Sequence, residues 1–345
     1  MATTRPAHPD EEIPMHPRSY ACLCVVLACL SPLASAQTLL RLAYALPSDS
    51  HYGAGATALA AAVEPRGTFK VRQFPNSALG GEREVIEGLQ LGSIDLAIVS
   101  TGATLNFVPE SGVFDIPFLM RDLAHARQVM DGPIGQRMLD RFSRHGLVAL
   151  AWGEQGFRHL TNNRRPVVTA ADARGLKIRT MENPVHIAAF RQLGMLPTPM
   201  AWPELATALQ QGTIDGQENP LSVILSARLD QLQKYLTLTS HVYGPAVVLV
   251  SPALYAGLSP ADQALFRAAA RQAALAMRDY VDAIETDGVE RLRQAGMAVT
   301  TVDRASFVAA VAPAYAGFEE KYGKALIEEI RATVSPDLTL TPAHD

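Results

Sequence analysis

Two arginines in apolar surroundings are the side chains with the clearest chemistry. Arg158 follows the apolar stretch of "ALAWGEQGFRHLTNN", and Arg179 follows "LKI" in "GLKIRTMENP". Arginine mostly occupies solvated helix faces. One set at the end of a buried strand has a planar fork of donors that matches a carboxylate at two points. Open α/β sheets bind ligands outside the carboxyl ends of their strands, where such a side chain would meet one. The competing uses are a solvated surface charge and an ion pair between two parts of the fold. Each is open to a buried charge, which needs a partner of some kind.

Residues for turnover are harder to find. The chain has no G-x-S-x-G, no H-E-x-x-H and no Walker loop. "GAGATA" (53–58) has the letters of a dinucleotide fingerprint, but it lies behind "LPSDSHY", well past the first strand. The nine histidines are scattered, with no pair at metal-ligand spacing beside a carboxylate. The expectation is therefore no catalytic residue, no metal and no cofactor.

The elements that would position the arginines read as alternating strands and helices. "LLRLAYA" (39–45) and "TFKVRQF" (68–74) are strands, and "GAGATALAAAV" between them is an Ala-rich helix. "GEREVIEGLQL" is a helix stopped by Gly92, and "IDLAIVS" (94–100) is a short apolar run suited to a buried parallel strand. This β-α-β order predicts an α/β protein with a doubly wound open sheet. The order returns in the second half: "MLPTPMA" (195–201), then "PELATALQQ" (203–211), then "TIDGQE". The helix-to-strand corner is spelled almost identically in both halves, "LQLGSID" from Leu89 and "LQQGTID" from Leu209. Six near-matched positions favour two similar α/β lobes over chance. Beyond 250, residues 259–296 carry one long helical pattern without internal proline. At 1.5 Å per residue it spans about 50 Å, longer than one lobe, and suits a beam crossing both.

The chain has 345 residues, 48% hydrophobic and 19% charged, which allows two domains. Its N-terminus reads differently from the body. Arg18, the apolar run "YACLCVVLACL" and "SPLASAQ" form a secretory signal with cleavage after Ala36; the run is too short for a membrane span. Translation from Met15 would remove the acidic stretch before it. Cys22, Cys24 and Cys29 all lie in this signal, so the mature chain has no disulfide, thiol chemistry or cysteine metal site. Removing Arg5, Arg18, Asp10, Glu11 and Glu12 leaves 28 basic and 31 acidic residues, with no basic block for nucleic acid. An exported, cysteine-free, unanchored chain suggests the bacterial periplasm.

Taken in order, the signal, "LGGEREVIEGLQLGSIDLAIVS", "FDIPFLMRDLAHARQVMDGPIG", "WGEQGFRHLTN", "LKIRTMENPVHIAAFRQLG", "ALQQGTIDGQENP" and "HVYGPAVVLVS" resemble the solute receptors of TRAP transporters, the DctP family. The resemblance covers nearly the whole mature chain. It implies a two-lobed periplasmic binding protein fold with a ligand cleft between the lobes and a long helix spanning both. The expected division is 37–157 plus 246–284 for one lobe and 158–245 plus 285–340 for the other. The family binds small organic acids and hands them to a membrane permease driven by an ion gradient. It implies a monomer that captures a small carboxylate, without turnover. Arg179 corresponds to the arginine that grips the carboxylate, Arg158 to one in the same cleft, and Asn219 to the asparagine that completes the set. "PFLMRDLAHARQVMDG" and "KIRTMENPVHIAAF" resemble members that take sugar acids such as uronates and ketogulonates. A polyol acid needs many hydrogen-bonding neighbours, and His51, Glu82, Asn106, Glu154, Asn183, Trp202 and Tyr243 lie at loop or strand-end positions able to supply them. A C4-dicarboxylate, which wants a second cation and fewer neutral donors, is the rival ligand. A ligand-sensing subunit for a membrane receptor is the rival role.

Overall fold

The computed structural model describes residues 1–2 and 37–334. The expected signal, its cysteines and the tail "TLTPAHD" lie outside the described residues. The chain separates into Met1–Gln37 and Thr38–Asp345, and the second unit carries every described strand and helix.

Ten strands form the frame: β1 (Thr38–Tyr44), β2 (Phe69–Phe74), β3 (Leu96–Ser100), β4 (Val148–Asn162), β5 (Lys177–Thr180), β6 (Leu196–Pro199), β7 (Gly216–Pro220), β8 (Tyr235–Leu238), β9 (Tyr243–Val250) and β10 (Ala298–Thr301). The helices that bear on the site are α1 (His51–Val63), α2 (Glu82–Leu91), α3 (Thr101–Thr104), α4 (Leu123–Asp131), α5 (Pro133–Arg141), α6 (Pro184–Gln192), α7 (Leu205–Gln210), α8 (Leu221–Ser226), α9 (Pro252–Gly257) and α10 (Pro260–Gln294).

The strands run in the order β2-β1-β3-β9-β4-β7-β5-β6, with β8 on β4 and β10 on β8. Two parallel trios, β2-β1-β3 and β6-β5-β7, carry the β-α-β pattern seen in the sequence. The sheet as a whole is mixed, because β9 and β4 run antiparallel between the trios. Neither belongs to a β-α-β repeat that would announce it. β4 is 15 residues long and changes partner along its length. Val148–Phe157 pairs with β9, and Arg158–Asn162 pairs with β7. Edge strand β6, "LPTP", keeps its two prolines where a missing N–H breaks no ladder.

The repeated corner is the same object twice. Gly92 and Gly212 both take left-handed φ, 73° and 68°, which a side chain would resist. Each N–H bonds back to the helix, at the carbonyls of Leu89 and Leu209. The aspartate that follows then grips the neighbouring strand. Asp95 accepts the N–H of Arg41 in β1 at 2.8 Å and the Nε of the same arginine at 2.8 Å. Asp215 accepts the N–H of Lys177 in β5 at 2.8 Å and the Nε of Arg164 at 2.6 Å. In both copies the carboxylate fixes the parallel register of the strand it opens. One detail differs from the sequence reading: Pro203 lies in a short 3-10 turn, Trp202–Glu204, ahead of α7.

Helix α10 is 35 residues long and is capped by Ser259. Its first half, Phe266 to Met277, packs into the core around Leu42, Leu96 and Val248. Its second half supplies Ile284 and Leu292 to the core around Leu205, Ile214 and Leu236. Gly288 sits where a Cβ would lie 2.9 Å from Ile284 Cγ2 and 3.2 Å from Leu225 Cδ1, so its absence of a side chain permits the close packing of α8.

Candidate functional site

The carboxyl ends of both parallel trios converge on one cavity of about 320 Å³. Its walls come from Ala45 and Leu46 after β1, Tyr52 on α1, Glu82 at the start of α2 and Ser100 at the end of β3. Gln155 and Arg158 on β4, Arg179 and Met181 at β5, Trp202, Asn219 on β7 and Val223 on α8 complete it. A second cavity of about 440 Å³ shares Glu82, Arg179, Met181 and Trp202 with the first and reaches Arg83, Glu182 and Asn106.

The two arginines differ in how their charge is met. Arg158, 1% exposed, lies inside β4 rather than after a strand. Its Nε donates to Glu218 Oε2 at 2.5 Å, and its Nη2 donates to Glu218 Oε1 at 2.8 Å and to the Glu218 carbonyl at 2.7 Å. Burial opposes the Arg158 charge, but the Glu218 carboxylate more than restores it. Glu218 is itself desolvated, yet Arg158 and His241 hold its carboxyl well below the usual range. His241 Nε2 lies 3.1 Å from Glu218 Oε2, and burial lowers the proton affinity of that imidazole despite the neighbouring carboxylate. Arg158 is therefore already neutralised.

Arg179, 2% exposed, has no carboxylate within ion-pair distance among the described residues. Its Nε and Nη2 donate to the Met200 carbonyl at 3.1 and 2.9 Å, and its guanidinium lies 5.9 Å from the Trp202 ring centre. Desolvation pushes its pKa down to about 10. A buried guanidinium with a backbone carbonyl as its main partner is left short of negative charge, and it lines both cavities.

Neutral groups surround it. The Tyr52 hydroxyl is buried without a hydrogen-bond partner among the described residues. Asn219 donates to Gln217 Oε1 at 2.5 Å, and its own amide oxygen accepts no hydrogen bond among the described residues. Gln155 donates to Ser100 Oγ at 3.1 Å and the Pro245 carbonyl at 3.2 Å. Glu82 Oε1 accepts the Ser100 N–H at 2.7 Å, and burial pushes this carboxyl up to about 7.

Of the residues singled out in the sequence, Arg158, Arg179, Asn219, Glu82 and Trp202 line the first cavity, and Asn106 lines the second. Four others are engaged elsewhere. Glu154 accepts from Arg127 Nε at 2.9 Å and Nη2 at 2.6 Å, and from the Tyr243 hydroxyl at 3.0 Å. Arg127 continues to Asp282 on α10, so Glu154 and Tyr243 belong to a brace between α4, β4, β9 and α10. A register irregularity between Glu154 and Gly156, where Gly156 takes φ 100°, breaks simple alternation in β4: Gln155 and Arg158 both line the cavity, while Glu154 faces Arg127. Asn183 caps α6 through its Oδ1, at 2.9 Å from the Val185 N–H. His51 is buried against Tyr52 and Tyr280 with neither ring nitrogen hydrogen-bonded among the described residues. Sequence reasoning passed over Tyr52, Gln155, Met181 and Glu218. Gln155 and Glu218 each adjoin a residue that was chosen, but the irregularity in β4 and the pairing of β4 with β7, which set their roles, leave no local signal. Among the described residues no His, Cys, Asp and Glu cluster has the arrangement of a metal site.

Residues 42–321 match the family model described as bacterial extracellular solute-binding protein, family 7. A solute-binding protein of Verminephrobacter eiseniae is 53% identical over 302 residues, 87% of this chain and 90% of the relative. A TRAP periplasmic solute-binding protein from Bordetella bronchispeptica, crystallised with density assigned as pantoate, is 69% identical. The match covers 86% of this chain and all of that one, with a TM-score of 0.85. A TRAP periplasmic solute-binding protein from Polaromonas sp JS666, bound to D-erythronate, is 53% identical over 86% of this chain and 99% of that one, also with a TM-score of 0.85.

Proposed function

The chain belongs to family 7 of the bacterial extracellular solute-binding proteins, and from that premise we propose that it captures a hydroxylated monocarboxylic acid in the periplasm and delivers it to a TRAP-type membrane permease. The observation that carries the reading is Arg179: a buried guanidinium lining the cavity with no carboxylate partner among the described residues. A ligand carboxylate supplies that partner. The Tyr52 hydroxyl, the Asn219 amide oxygen, Gln155 and Glu82 then serve ligand hydroxyls.

The charge count favours one carboxylate over two. Arg158 is matched by Glu218, so a dicarboxylate would bring its second charge to a wall without a free cation among the described residues. The apolar side of the cavity, Ala45, Leu46, Met181 and Val223, suits a short carbon chain or branched methyl groups. Pantoate and D-erythronate, the acids in the two similar crystal structures, are both four-carbon-chain hydroxy monocarboxylates. We place the ligand in that class of aldonate-like acids, shorter than the six-carbon acid suggested by the sequence.

Capture calls for two lobes that close, and the division at Phe157/Arg158 suits it. β4 exchanges β9 for β7 there, and both arginines then fall in the second lobe, facing Tyr52, Glu82 and Ser100 of the first. The receptor acts as a monomer and without turnover.

A thermal-shift screen tests the proposal. D-erythronate, pantoate, galactonate, galacturonate, succinate and malate are compared at equal concentration. Binding adds about 2.7 kcal/mol at a hundredfold excess over Kd, a rise of several degrees. Erythronate or pantoate should lead. A lead for succinate would install the C4-dicarboxylate reading, and product formation during incubation would point to an enzyme.

A further inference from the structure

Glu82 lines both cavities together with Arg179, yet it has no cation within ion-pair distance among the described residues. One oxygen is occupied by the Ser100 N–H at 2.7 Å, and the other makes no hydrogen bond among the described residues. The charged groups facing it come from every wall. Arg179 stands on β5, and Arg158 on β4 is backed by Glu218 on β7. The Tyr52 hydroxyl comes from α1, Arg83 and Glu84 from its own helix, and Glu182 from the turn before α6. Within the first cavity and its backing, Arg179 and Arg158 oppose Glu218 and Glu82, so the charges balance before an acid enters. A bound carboxylate adds one negative charge in a desolvated space. Arg158 cannot answer it without abandoning Glu218. Of the groups in that first cavity, Glu82 is the one that can shed charge by taking a proton.

We propose that Glu82 takes up one proton from solvent as the ligand's carboxylate seats on Arg179, so that this receptor binds an acid anion and a proton together. Above neutral pH Glu82 is mainly a carboxylate before capture; afterwards it is a carboxylic acid, its proton drawn from water or buffer and its O–H donating to a ligand oxygen. The balance is one anion and one proton in, with no bond made to carbon. The site thereby takes a monoanion at unchanged net charge and gains the donor that a hydroxyl or carboxylate oxygen needs. Burial already pushes this carboxyl up to about 7, so a small further rise on binding moves it across neutral pH. A group that binds protons more tightly in the complex makes affinity rise as pH falls, over the interval between its free and bound pKa. The inference rests on the receptor reading of this same cavity.

Calorimetry of D-erythronate and pantoate decides it, with wild type and Glu82→Gln compared at pH 6.0, 7.5 and 8.5. At pH 7.5 each titration is run in phosphate and in Tris, whose ionisation enthalpies differ. For wild type we expect uptake of about 0.5–1 proton near pH 7.5, and affinity roughly 10-fold weaker at pH 8.5 than at pH 6.0. Glu82→Gln mimics the protonated form, so it should bind with no buffer dependence and with affinity flat in pH. Wild-type binding with no proton uptake and equal affinity across this range overturns the proposal, and does so even if the variant fails to fold. Absence of binding by both acids at every pH removes the receptor reading for these ligands, and this inference with it.

Discussion

Arg179 and Arg158 show how little a residue's type says about its charge balance. Both are buried arginines two strands apart, but Glu218 satisfies one and leaves the other short of an anion. Truncating one partner of a buried, hydrogen-bonded charge pair costs about 2–5 kcal/mol. Arg179→Ala is therefore expected to weaken ligand binding roughly 30-fold or more. Arg179→Lys keeps charge but loses the planar fork, and should remain clearly impaired. Calorimetry of Arg179→Lys beside Arg158→Lys checks the ranking; wild-type affinity in the first with lost affinity in the second would transfer the anchor to Arg158. Two histidines give a second expectation at this scale. Burial pushes His51 and His159 down to about 3, against about 6.5 in an unfolded chain. Between those values the unfolded chain binds more protons, so stability falls as pH drops. The stability measured by urea unfolding should fall by up to about 2.7 kcal/mol per pH unit from these two groups together in the acid half of that window. A midpoint unchanged between pH 6.5 and 4.5 would contradict it.

The corner is the element that recurs. Its leucine, glycine and aspartate were readable as a helix stop and a strand start, but not the reason for the aspartate. The reason is across the sheet: the carboxylate accepts a backbone N–H of the parallel neighbour, at Arg41 in one copy and Lys177 in the other. Asp215→Asn keeps one acceptor and loses the charge that Arg164 meets. With the part-buried Lys177 N–H left a neutral acceptor in place of a charged one, a cost of about 1 kcal/mol is expected. The melting temperature should fall accordingly, and ligand affinity should weaken, because β5 positions Arg179. A variant with unchanged melting temperature would show that the corner is held by its backbone bonds alone. Helix α10 was legible for a different reason. Thirty-five residues without proline past the first turn specify a helix locally, and their apolar positions serve first one core and then the other.

Across the whole molecule, Arg179 is buried by walls from both parallel trios. That arrangement is favourable when an anion lies beside the guanidinium and costly otherwise. The ligand-free protein is therefore expected to open, by a hinge in the strands that cross between the lobes. Small-angle scattering should give a smaller radius of gyration with saturating D-erythronate or pantoate than without. Acrylamide quenching of tryptophan should fall in the same titration, as Trp202 becomes enclosed. Identical scattering profiles under saturating ligand would argue against closure.

Features that depend on neighbours along the chain were legible before any fold was known. The α/β alternation, the helix stops, the long helix and the arginines set among apolar residues follow from periodicity and local propensity, which act over a few residues. Features that depend on residues far apart needed the folded chain. The antiparallel placement of β4 and β9 carries no local signal. Glu154 and Gln155 are adjacent letters, and which of them faces the cavity is set by strand geometry and by the Arg127 that waits on α4. Above all, Glu218 lies 60 positions from Arg158 and closer in sequence to Arg179, yet it pairs with the first and not the second. Which arginine remains free for a ligand is a matter of angstroms in a desolvated space, where electrostatic energy is steepest and chain distance counts for nothing.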